Sequence, residues 1–201
     1  MKDTNRRDFL RRSAAAACAL PLAASARAAP VPACLPPAAP RPAAPPEGPR
    51  LGLVTYLWGA DLGLDALIAA CEAGGLAGVE LRTTHAHGVE PSLGPKQRAE
   101  VKRRFADSAI EWLGIGSNEN FDSPDPLRLT RAIEAAMDFL ELSRDVGGTG
   151  VKVKPDSFHD GVPREQTIEQ IGRALRVVGR YAAELGQELR LEVHGQCAEL
   201  P

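Results

Sequence analysis

The stretch that decides the fold is residues 149–194, TGVKVKPDSFHDGVPREQTIEQIGRALRVVGRYAAELGQELRLEVH. It opens with a short β-rich run at 149–154, in which Val151 and Val153 alternate with Lys152 and Lys154. Alternation of this kind gives a strand with one apolar face and one polar face. A helical pattern follows over 164–185, where Ile168, Ile171, Leu175, Val178, Ala182 and Leu185 recur at steps of three and four. Gly186 then stops the helix, because glycine adopts the left-handed conformation at little cost. A second β-rich run, 189–194, carries Glu192 and His194 two residues apart, hence on one face. Strand, helix and strand in that order make a parallel pair with a helical crossover.

The same unit repeats upstream. Strand patterns are expected at 51–58, 78–82 and 110–116, with helices at 61–73, 94–108 and 126–146. Asp125 and Pro126 supply an N-cap and a first helical position, Leu129, Ile133, Ala136, Met137 and Leu140 the buried stripe, and Gly147-Gly148 the stop. Leu64, Leu67, Ile68 and Cys71 form the apolar side of the first helix, and Val101 and Phe105 that of the charged second one. The strand starts lie about 35 residues apart, which suits a (β/α)₈ barrel or an open doubly wound sheet. A flavodoxin-like open sheet is the competing architecture. However, Trp58-Gly59-Ala60-Asp61-Leu62-Gly63 after the first strand lacks a G-x-G-x-x-G phosphate cradle, and Gly114-Ile115-Gly116 is too short a substitute.

Composition narrows the function classes. The chain has 201 residues, 44% of them hydrophobic, with 24 basic and 26 acidic side chains. Residues 1–29 hold six basic and two acidic groups, which leaves 18 and 24 in residues 30–201, a net of −6. A mildly acidic domain argues against a nucleic-acid partner held through phosphates. Asn5-Arg6-Arg7-Asp8-Phe9-Leu10-Arg11 resembles a twin-arginine export motif. An Ala-rich apolar stretch and the small-residue sites Ala24-Ser25-Ala26 and Ala26-Arg27-Ala28 follow it, so 1–29 is expected to be an export signal. The stretch is too short for a permanent membrane span. Residues 30–49 contain nine prolines and are expected to form an extended tether, with the folded domain over 50–201. Cys18, Cys34, Cys71 and Cys197 show no metal-ligand spacing and no disulfide framework.

Three further stretches point to a family: Gly78-Val79-Glu80-Leu81-Arg82 with Thr83-Thr84-His85-Ala86-His87-Gly88 behind it, Gly150-Val151-Lys152-Val153-Lys154-Pro155, and Leu191-Glu192-Val193-His194-Gly195. On these motifs residues 51–195 resemble the xylose-isomerase-like, sugar phosphate isomerase/epimerase TIM-barrel family. The resemblance implies an α/β fold of the (β/α)₈ TIM-barrel type, of which five strands and four helices are expected here. It implies metal-assisted proton transfer next to a carbonyl, on a small carbohydrate. Members bind a divalent ion, Mn²⁺ or Mg²⁺, through a Glu, an Asp, a His and a Glu at the ends of strands five to eight. Carried over, Glu192 is the strand-five ligand and acid/base. With only that ligand in place, the chain is expected to be an incomplete barrel without isomerase activity.

The remaining candidates come from position. Glu80, Lys152, Asn118 and His194 are expected to line the substrate site, and His85 and His87, in the loop after strand two, are candidate further metal ligands. Each has a structural alternative. Glu80 pairs equally well with Lys152, Glu192 with Arg190 or a lysine, and His194 is also readable as a satisfied imidazole. A non-catalytic carbohydrate-binding protein and an inert fragment are the alternatives from other classes. Sheet edges at 51–58 and 189–194 would invite self-association.

Overall fold

In the computed structural model, residues 48–198 are described. The expected export signal and nearly all of the expected tether lie outside them. Five strands alternate with four helices: β1 Gly52–Val54, α1 Leu64–Ala73, β2 Gly78–Arg82, α2 Pro95–Ala106, β3 Glu111–Asn120, α3 Pro126–Val146, β4 Gly150–Lys154, α4 Arg164–Glu184 and β5 Glu188–Leu191. A 3₁₀ turn, Gln196–Ala198, follows.

Every strand pair is parallel, and the sheet order is β1-β2-β3-β4-β5. That order decides between the two architectures. Right-handed crossovers that always step the same way put every helix on the same face of the sheet. A doubly wound sheet reverses direction at a switch point and carries helices on both faces. There is no reversal here, so this is barrel winding, and the face opposite the helices is the lumen face.

Side-chain burial follows the alternation. Val79, Leu81, Ile115, Val151 and Val153 are at most 2% exposed and lie under the helices. On the helices Leu67 and Cys71 of α1, Phe105 of α2, Met137 and Leu140 of α3 and Val178 of α4 are buried as well. Phe105 meets Trp112 edge to face at 4.8 Å between ring centroids. Glu80, Arg82, Lys152 and Lys154, at the alternate positions, keep part of their surface on the other side.

Local signals set the helix limits. The Asp125 side chain accepts from the Leu127 amide at 2.9 Å, and Gly147 ends α3 at φ 90°. Gly186 follows α4 at φ 67°. Ile168 departs from its expected role, being 55% exposed on α4. Three strands also differ from expectation. β5 ends at Leu191 rather than at His194. β1 stops at Val54, because Tyr56 N–H donates to the Val54 carbonyl in a turn and leaves Tyr56, Leu57 and Trp58 exposed. β3 runs on to Asn120, so Asn118 stands within a strand rather than in a loop. Among the described residues no helix is long and apolar enough to cross a membrane.

Candidate functional site

The lumen face carries one concentrated group of charges, built from three strands. β2 brings Glu80, β4 brings Lys152, and the end of β5 brings Glu192. Glu192 lies one residue beyond the β5 ladder, yet its amide still donates to the Val153 carbonyl at 2.9 Å, so the strand direction holds. Lys152 Nζ stands 2.8 Å from Glu80 Oε1 and 3.1 Å from Glu192 Oε2. All three side chains are largely enclosed, at 17%, 13% and 29% exposed for Lys152, Glu80 and Glu192. The two oxygens facing the ammonium are shut off from water and take no aligned hydrogen bond from any described residue. Burial opposes the Lys152 charge, but the flanking carboxylates outweigh it and raise the ammonium above its ordinary value.

β3 lies between Glu80 and Lys152, and the pair meets across Gly116. A Cβ on Gly116 would come within 2.8 Å of Glu80 Oε1 and 2.9 Å of Arg82 Cδ. Gly116 pairs with Arg82 on one side and with Lys152 on the other. Both structural alternatives raised for Glu80 and Glu192 are thus realised by one lysine, on the lumen face. Arg190 takes no part; it donates to Glu188, Thr149 Oγ1 and the Leu113 carbonyl.

Above this group opens a cavity of about 380 Å³, lined by Val54, Tyr56, Arg82, Lys152, Lys154, Glu192 and His194. It falls within the roughly 300–1,000 Å³ usual for small-molecule sites. It stands at the C-terminal ends of the strands, the functional face of a barrel. Arg82 stacks over the Tyr56 ring at 5.2 Å and donates to Asn118 Oδ1. Neither Arg82 nor Lys154 has an acidic partner among the described residues. His194 is half exposed and sits 3.5 Å from Asp156 Oδ1. Asn118 therefore reaches the site through Arg82. Tyr56 was not foreseen, since it reads in sequence as one more apolar residue of the first strand.

The two loop histidines lie elsewhere. His87 is 7% exposed; its Nε2 meets the Arg82 carbonyl at 2.8 Å and its Nδ1 accepts from the Val89 amide at 3.1 Å. Both nitrogens are engaged, so the expectation of His87 as a metal ligand gives way to a structural imidazole. Burial lowers its pKa, opposed by the bond to Arg82 and helped by the neighbouring His85. His85 Nδ1 faces Thr55 Oγ1 at 3.3 Å. A divalent cation takes six or more oxygen ligands in calcium-like sites, or one or two carboxylates with several waters and substrate oxygens in magnesium-like ones. Among the described residues no three His, Cys, Asp or Glu side chains converge to hold one. The inner oxygen of Glu192 faces an ammonium instead. The described residues do not by themselves fit Mn²⁺ or Mg²⁺.

Comparison with known proteins agrees with the winding. The profile of the xylose isomerase-like TIM barrel family matches residues 68–200. The chain belongs to that family. Among solved structures, D-psicose 3-epimerase from Clostridium cellulolyticum H10, crystallised with D-tagatose, is similar over 75% of this chain and 54% of its own. The TM-score is 0.61 and the identity 19%. L-ribulose 3-epimerase is similar over 71% and 48%, with a TM-score of 0.58 and 20% identity. The IolI protein, solved with a bound zinc atom, is similar over 71% and 50%, with a TM-score of 0.60 and 16% identity. The chain thus spans about half the length of these structures. No match was found among functionally curated proteins.

Proposed function

We propose that this chain contributes the sugar-holding half of an isomerase or epimerase site, with Glu192 as the carboxylate that moves the proton next to a carbonyl. The observation that carries the reading is the position of Glu192. It stands at the end of the fifth of five sequentially wound strands, on the lumen face, and lines the 380 Å³ cavity. Removal of a proton beside a carbonyl needs a carboxylate within hydrogen-bond reach and positive charge near the oxygen that becomes anionic. Arg82, Lys152 and Lys154 supply that charge along the same wall. The sugar epimerases of similar fold support a small carbohydrate as the ligand. Glu80, the second lumen carboxylate, is held against Lys152 and does not itself line the cavity, so it does not serve as a partner acid for Glu192. The 201-residue chain on its own is therefore a carbohydrate binder with turnover at background.

Calorimetry with a panel of ketoses tests this. A single saturable site is expected, weakened at least about tenfold, or about 1.4 kcal/mol, by Arg82→Ala. Ketose interconversion is expected to be equal for the unaltered chain and Glu192→Gln. Absence of saturable heat with every sugar would remove the binding reading. Turnover that depends on Glu192 would replace it with a self-sufficient enzyme.

Export by the twin-arginine route is carried forward as part of the proposal, on the Arg6-Arg7 motif and the Ala-rich stretch behind it. A reporter fused behind residues 1–29 is expected to leave the bacterial cytoplasm only when Arg6-Arg7 is intact. Export of an Arg6→Lys, Arg7→Lys double variant at the same level would overturn it.

A further inference from the structure

Two carboxylates from β2 and β5 converge on one point, although β3 and β4 lie between them. The Glu80 carboxylate passes over Gly116, where a Cβ would stand 2.8 Å from its Oε1. Two buried acids so placed repel each other unless a cation stands between them. The cation here belongs to the chain. We propose that Lys152 is the resident cation of this site: its ammonium occupies the position between Glu80 and Glu192 and keeps a divalent ion out.

Four observations support the assignment. Nζ is within ion-pair distance of both acids, at 2.8 and 3.1 Å. The facing oxygens, Glu80 Oε1 and Glu192 Oε2, are sealed from water and take no aligned hydrogen bond from any described residue. Among the described residues the ammonium is therefore the one group that offsets their charge. Lys154, two residues on and on the same face, has no acidic partner among the described residues, so the pairing is specific to position 152. An ammonium also has three donors. Both acids lie within ion-pair distance, and Lys152 also lines the cavity, which puts a donor within reach of a substrate oxygen. A fixed ammonium supplies positive charge beside that oxygen with no ligand to exchange. The inference rests on the proposed function for the location of the sugar, but its test uses no sugar.

The test is Mn²⁺ binding to the full chain, followed by electron paramagnetic resonance of free Mn²⁺ and by thermal melting. Three proteins are compared: the unaltered chain, Lys152→Met, and Lys152→Gln, whose amide still donates to one acid. The unaltered chain is expected to show no saturable uptake up to about 1 mM, the weak end of carboxylate sites. Both variants are expected to bind one Mn²⁺ at least about tenfold more tightly and to melt higher in its presence. Adding Glu192→Gln to either is expected to abolish the gain. Equal affinity in all three proteins would overturn the assignment, as would variants that fold without gaining a site. If neither variant folds without metal, refolding in Mn²⁺ supports the assignment and failure to refold overturns it. A sugar panel that gave no heat would leave this result standing, and the reverse holds as well.

Discussion

Gly114→Ala is expected to lower the stability of the folded domain by about 3 kcal/mol or more. Gly114 sits at φ +142°, a conformation that side chains rarely adopt and that costs about 1–3 kcal/mol when imposed on another residue. A Cβ there would also stand 2.4 Å from the Gly150 carbonyl oxygen on β4. That oxygen belongs to a backbone locked in the ladder, so it cannot swing aside as a side-chain tip can. Relief requires the two strands to part, at about 1–3 kcal/mol more. Against a total of roughly 5–15 kcal/mol, the loss is a large fraction. Urea denaturation measures it. Gly172→Ala is the control: Gly172 lies in α4 with nothing within 4 Å of its added Cβ, and is expected to gain about 0.5–1 kcal/mol. A Gly114→Ala loss under about 1 kcal/mol would show that the strand tolerates the change and that the reasoning from backbone contact is mistaken.

Gly114 matters to the site because it is part of a bulge. Val79 pairs with Trp112, but Glu80 pairs with Gly114, so Leu113 is an extra residue in β3. The shift puts Gly116 opposite Arg82 and Lys152 and opens the path for the Glu80 carboxylate. In sequence, Gly114-Ile115-Gly116 reads only as a poor phosphate cradle. The reason for both glycines is contact with other strands, and no local pattern encodes that.

Other features were legible because their causes are local. Asp125-Pro126 and Gly147 mark the ends of α3 through capping and left-handed backbone, which need no tertiary partner. The Val-Lys-Val-Lys alternation of β4 separates the helix face from the lumen face directly. The choice of barrel over open sheet rests on the family motifs and the missing phosphate cradle, and the sheet order agrees. Misread features depend on what is packed nearby. Tyr56, Leu57 and Trp58 have strand-like composition but fall past a turn at Val54. His85 and His87 have a spacing that admits metal binding, but Arg82 and Val89 take both nitrogens of His87, and Nδ1 of His85 faces Thr55. That Glu80 and Glu192 share one lysine, rather than Glu192 taking the adjacent Arg190, depends on strands that are not neighbours in sequence.

Lys152→Met is expected to cost about 3 kcal/mol, because it leaves two largely enclosed carboxylates facing each other. The low end of the range for broken buried pairs applies, since Glu80 and Glu192 keep 13% and 29% of their surface. The triple variant Glu80→Gln, Lys152→Met, Glu192→Gln is expected to recover most of that loss, since a neutral group has no unpaired charge to desolvate. By contrast, Arg103→Ala removes contacts to Glu100 and Asp107 on the exposed face of α2 and is expected to change stability by less than about 1 kcal/mol. The pH dependence has a fixed sign. Lys152 is raised above its ordinary value of 10.5, so the folded state holds this proton more tightly than the unfolded chain does. The resulting stabilisation is complete below the unfolded lysine value and is lost as pH rises through the higher folded one. Urea midpoints of the unaltered chain should therefore fall more steeply above pH 10.5 than those of the triple variant. If the single and triple variants are equally stable and share the alkaline profile of the unaltered chain, Lys152 does not hold the two acids together. The lumen would then need another source for the charge that offsets them.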